Sequence, residues 1–210
     1  MRKFKSLKVF ICFVMICSLF PAIFTNASDT DLTPAEIDEL LKDVPQVEIE
    51  PGVYLRDNGV VSIVDIDVSY FESIDNETVP VTSCPDDGYI VSDNSPEIMP
   101  YYDATWDLST SYVATFKAKY RVSSRVTFKG YDSFYVEIYD VNCPEDSEWM
   151  TAIARNDDRY KNLAASPWLP SSQTTYTTKY YNLDTSKEYI VIFEKTDDGN
   201  EATGMVKVYE

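Results

Sequence analysis

The chain has 210 residues, 35 acidic, 18 basic and none histidine, with a formal charge of −17. That balance excludes the basic surface a nucleic-acid binder needs. The missing histidine removes the usual general base, the Ser-His-Asp triad and the commonest zinc ligand.

The chain opens with Arg2, Lys3, Lys5 and Lys8, continues as an apolar run from Val9 to Phe20, and reaches small residues at Thr25-Asn26-Ala27. This is the layout of a secretory signal, residues 1–27. The apolar run is shorter than the ~20 residues a spanning helix needs, so the expected mature chain, 28–210, is secreted and carries no membrane span. Losing the signal's four basic residues takes the net charge from −17 to −21. Cys12 and Cys17 leave with it, and Cys84 and Cys143 remain in a compartment that permits a disulfide. Each opens an acidic turn, Cys84-Pro85-Asp86-Asp87-Gly88 and Cys143-Pro144-Glu145-Asp146-Ser147. One bridge between them is expected, closing a loop worth on the order of 4 kcal/mol by chain entropy.

Residues 28–45 read as an acidic amphipathic arm. Thr33-Pro34-Ala35-Glu36 combines a capping box with proline at the first helical position, and Ile37, Leu40, Leu41 and Val44 share one face. So short a helix is marginal alone in water, and docking on the following domain, 46–210, is the simplest expectation. Glu50-Pro51-Gly52-Val53 reads as a type II turn and Asn58-Gly59 as a hairpin turn. The strand after it is expected to run through Phe71, with Val64, Ile66, Val68 and Tyr70 inward and Asp65, Asp67 and Ser69 wet.

The longest alternation lies between Tyr112 and Val141. Ala114, Phe116, Ala118, Tyr120 and Val122 fall on one face; Val126 and Phe128, then Phe134, Val136 and Ile138, resume it. Three antiparallel strands follow as the simplest reading, with Ser123-Ser124 as a turn or a bulge. Trp149 to Arg155 reads as a short strand, Asn156 to Gln173 as a long surface loop, and 174–181, 189–195 and 203–209 as closing strands. Tyr189 to Phe193 is apolar without alternation, as in a central strand covered on both faces, and Asp197 to Asn200 is the expected turn of a last hairpin. About ten short strands and one helix predict an all-β fold, an antiparallel β-sandwich or jelly roll, with a flattened barrel as the alternative.

Three sets of candidate site residues emerge. Asp86, Asp87, Asp140, Glu145 and Asp146 offer the hard oxygen ligands calcium takes, although no EF-hand spacing is present. Trp106, Trp149 and Trp168 fall in segments read as turns, strand ends or loops, and an exposed ring stacks on sugars; tyrosines and tryptophans also fill cores. Lys117, Lys119, Arg121, Arg125 and Lys129 all point outward by the alternation, either paired with acids across strands or forming a positive stripe for an anionic glycan. The expected function is a non-catalytic secreted binding module for an extracellular glycan or a surface protein. The rivals are a carboxylate-based glycoside hydrolase and an interaction protein working through the N-terminal helix.

Overall fold

The computed structural model describes residues 32–74, 89–91, 104–196 and 198–210. The expected signal, Cys84, Asp86 and Asp87 lie outside them. No helix among the described residues is long and apolar enough to cross a membrane.

Helix α1, Pro34–Leu41, forms where its capping box puts it: the Thr33 hydroxyl accepts from Glu36 N, and the Glu36 carboxylate accepts from Thr33 N at 2.8 Å. Strands β1 (Val47–Glu50) and β2 (Val53–Asp57) meet at Pro51-Gly52, where Gly52 takes φ +77 as a type II turn requires. The Asn58-Gly59 turn leads into β3, Ser62–Asp67, as expected. The strand then stops. Asp67 caps a second helix, α2 (Val68–Ile74), its Oδ1 accepting from Ser69 N and Tyr70 N. A side-chain cap therefore overrides an alternation that would have continued the strand. Asp65, expected wet, is fully buried on β3.

The remaining strands are β4 (Tyr89–Val91), β5 (Ala104–Trp106), β6 (Tyr112–Ala118), β7 (Arg121–Ser123), β8 (Val126–Lys129), β9 (Ser133–Asn142) and β10 (Glu148–Arg155). Then come β11 (Ala164–Ala165), β12 (Leu169–Pro170), β13 (Tyr176–Tyr181), β14 (Glu188–Lys195) and β15 (Ala202–Tyr209). The larger sheet has the order β1-β2-β3-β13-β9-β15-β6-β4, and the smaller β11-β10-β14-β8-β5, with β7 beside β14 and β12 beside β10. Together they form a β-sandwich. It is mixed, since β13 runs parallel to β3 and β5 parallel to β8.

The stretch expected as a meander is divided between the sheets. Strand β6 belongs to the larger sheet, the chain crosses at Lys119-Tyr120, β7 and β8 both pair with β14 in the smaller sheet, and β9 returns. Ser123-Ser124 is a bulge along this β7–β8 edge: Ser124 N donates to Val191 O at 2.7 Å, and Val191 N to Ser124 Oγ at 3.1 Å. Strands β14 and β15 likewise lie in different sheets, so the turn after Lys195 is a crossing and not a hairpin. The expected long loop folds back, and its β11 and β12 pair with β10. Strand β14 is the buried centre of the smaller sheet, as its sequence implied.

Between the sheets lies an aromatic core. Phe193 of β14 stacks on Phe116 of β6 at 4.2 Å and on Trp149 of β10 at 5.6 Å; Phe134 meets Phe128 and Tyr180. The Thr151 and Tyr180 hydroxyls join across it at 2.8 Å. On the outer face of the larger sheet, Ile37 and Leu41 of α1 pack onto Ile63, Tyr135 and Tyr209. The helix is docked.

Candidate binding site

The outer face of the larger sheet is built by register. Asp65 of β3 pairs with Lys179 of β13, which pairs with Tyr135 of β9, which in turn sits opposite Tyr209 of β15. Period-two alternation puts these side chains on one face in one row. Beside the row lies a cleft of about 320 Å3, lined by Gln46, Arg56, Asp65, Asp132, Ser133, Lys179, Tyr181 and Asn182.

Asp65 anchors the cleft floor. Both its oxygens accept from the Arg56 guanidinium, through Nε and through Nη2 at 2.8 Å, and Gln46 Nε2 donates to it at 3.1 Å. This fork-to-carboxylate geometry is the strong form of an ion pair and holds Arg56 in place. Asp38 reaches the same cations from α1: it accepts from Lys179 Nζ at 3.1 and 3.2 Å and from the Tyr135 hydroxyl at 2.6 Å, with Arg56 Nη2 at 3.9 Å. Partial burial opposes its ionisation, but the Tyr135 and Lys179 hydrogen bonds outweigh that, and the Asp38 carboxyl titrates below its usual 3.8. Burial, with Asp67 nearby, raises the Tyr181 hydroxyl to about 12. The lining thus offers hydrogen-bond donors and acceptors and one tyrosine edge. A second hollow of about 340 Å3 lies on the same sheet over Thr115, Lys117, Thr203 and Met205, beside Asp140, whose φ of +53 marks a bulge in β9 opposite β15.

The residues singled out by sequence fall elsewhere. Trp149 is fully buried in the core, and Trp106 lies on β5, half buried, with its Nε1 donating to Thr110 O at 2.9 Å; neither offers a free ring. Trp168 is 43% exposed beside β12. The five cations do not form one stripe. Lys117 lies on the larger sheet and pairs with Glu201 at 2.7 Å, and Lys129 lies on the smaller and pairs with Glu188 at 3.4 Å. Lys119 stands exposed at the crossing and Arg125 at the bulge. Arg121 is 2% exposed, its Nη2 donating to Arg159 O at 2.7 Å and its Nε 4.0 Å from Glu194. The crossing at Lys119-Tyr120 moves the chain to the other sheet, which is why alternation counted from β6 misplaces Arg121.

Asp140, Glu145 and Asp146 are exposed, and no group of three His, Cys, Asp or Glu side chains able to hold a metal occurs among the described residues. Cys143 is a half-buried thiol, its pKa pushed up by burial; its expected partner Cys84 lies outside the described residues. Sequence reasoning passed over Asp38, Arg56, Lys179 and Tyr181. Alternation in Tyr176–Tyr181 does put Lys179 and Tyr181 on one face, but their neighbours come from the parallel pairing with β3, which no local pattern announces. Among known proteins, no family model matches the chain and no curated protein matches it significantly.

Proposed function

We propose that the chain is an exported, non-catalytic β-sandwich binding module and that its ligand is an extracellular glycan seated in the cleft between β3, β13 and the β8–β9 turn. The carrying observation is the lining itself: Gln46, Arg56, Lys179, Asp132 and Asn182 converge with Tyr181 on a hollow of about 320 Å3. That size takes about one sugar ring, and polar groups held by their neighbours cost little to order on binding. A hydrolase reading has less support. Asp65 already spends its oxygens on three donors, which leaves it unsuited to deliver a proton to a leaving group. Trp168, exposed on the other sheet, is a separate candidate contact.

A glycan array probed with residues 28–210 tests the reading. Binding is expected, and Gln46→Ala with Asp132→Ala, both exposed positions, should weaken it about tenfold, the scale of one or two lost hydrogen bonds, while the chain keeps a cooperative thermal transition at a slightly lower Tm because Asp65 loses one of its three donors. An array without a hit, or binding indifferent to these variants, overturns the assignment of the cleft.

A further inference from the structure

Groups from three strands of the larger sheet converge on Asp38: Tyr135 of β9 and Lys179 of β13 donate hydrogen bonds to it, and the Arg56 guanidinium of β2 stands 3.9 Å away as a second cation. Each also has a support other than Asp38. Arg56 is forked onto buried Asp65, Tyr135 lies stacked on Tyr209 at 5.4 Å with an interplanar angle of 6°, and Lys179 sits 4.8 Å over the Tyr135 ring. The sheet therefore carries a preformed site for one carboxylate. Its occupant comes from outside the sheet, on an eight-residue helix, and that carboxylate is 47% exposed. The helix holds without it, because Ile37 and Leu41 bury their side chains and Asn58 Nδ2 donates to the C-terminal carbonyl of Leu40 at 3.1 Å.

We infer that Asp38 is an internal stand-in for a ligand carboxylate, and that the cleft takes a sugar bearing a single carboxylate, a terminal sialic or uronic acid, which displaces the Asp38 side chain from Lys179, Tyr135 and Arg56. This rests on the glycan reading of the cleft and names its ligand class. Arg56 and Lys179 line the cleft as well as facing Asp38, so a pyranose in the hollow has its carboxylate within reach of both. Charge fits one-for-one exchange: Arg56 and Lys179 balance Asp65 and Asp38, and a ligand anion replacing Asp38 keeps the balance. Charge also limits the ligand. A mature chain of −21 repels a polyanion, whereas one charge next to two cations is attracted locally, the rest being screened beyond ~8 Å at physiological salt.

Calorimetric titration of the mature chain with sialyllactose, free glucuronate and neutral lactose tests this. Asp38→Asn removes the internal competitor while keeping a partner for the Tyr135 hydroxyl, so affinity for sialyllactose and glucuronate should rise about tenfold while lactose is unaffected. Adding Lys179→Gln should cancel the gain. If Asp38→Asn does not fold, the unmodified chain decides: saturating sialyllactose must shift the backbone amide resonances of residues 36–40, and lactose must not. A variant that melts lower and gains nothing for either acid shows that Asp38 is a strut, which sinks the inference and leaves the glycan reading standing. Gain for glucuronate without binding of any oligosaccharide upholds the carboxylate site and removes the glycan reading.

Discussion

Lys195 is fully buried, and removing an ammonium from water costs several kcal/mol unless every proton finds an acceptor. All three do: Nζ donates to Lys119 O at 3.0 Å, Thr196 O at 2.6 Å and Asp198 Oδ1 at 2.7 Å. Those acceptors sit on the β6–β7 crossing and the β14–β15 crossing, so one side chain fastens two of the places where the chain changes sheet. Lys195→Met removes these three hydrogen bonds and should lower stability by about 2 kcal/mol in urea unfolding. Asp198 is held well below its usual 3.8 by Lys195, Ser147 and Asn200 N. A carboxyl whose folded pKa is depressed stabilises the fold above its unfolded pKa and loses that stabilisation as pH falls through the folded value. The Tm should therefore decline below about pH 4, and Asp198→Asn should flatten that limb while lowering the plateau; parallel curves would contradict the assignment. None of this was legible residue by residue. Lys195 reads as one more strand-end cation, and only the two crossings make it a hub.

Elements with local signals were legible, and those fixed by distant pairing were not. The α1 cap, the Gly52 turn and the Asn58-Gly59 hairpin were all written in four-residue patterns. The end of β3 was also written locally, in Asp67 as a helix cap, but it competed with an alternation continuing through Tyr70. At Gly52 two constraints coincide: φ is +77, and a Cβ would overlap the ring of Tyr70 on α2. Gly52→Ala should cost about 2 kcal/mol or more, combining left-handed strain with displacement of α2. Leu41, fully buried against Ile63, Tyr135 and Tyr209, makes α1 more than an arm. Leu41→Ala should lower stability by about 2 to 4 kcal/mol in denaturant titration. An effect under about 0.5 kcal/mol would mean that the helix is peripheral after all.

At the scale of the molecule, composition and turn spacing were enough to specify a sandwich with β14 at its centre, but not the partition of strands between sheets. That partition depends on crossings at Lys119-Tyr120 and after Lys195, and on parallel pairs such as β3 with β13, whose partners lie over a hundred residues apart in sequence. Neither sheet can be completed from one contiguous segment. Strand β15, the last in the chain, inserts between β9 and β6, while β14, just before it, joins β10 to β7 and β8. The two sheets should therefore unfold as one cooperative unit, and refold slowly, in milliseconds to seconds, because loop closure precedes most of the stabilising contacts. Trp149, stacked on Phe193, and Trp106, packed against the same core from β5, both in the smaller sheet, give a fluorescence signal for the core, provided the exposed Trp168 is replaced by Phe. In that variant the fluorescence and far-UV circular dichroism transitions should coincide in urea. Separate midpoints would show that one sheet persists without the other, and the crossings fastened by Lys195 would then be joints between two units and not part of a single core.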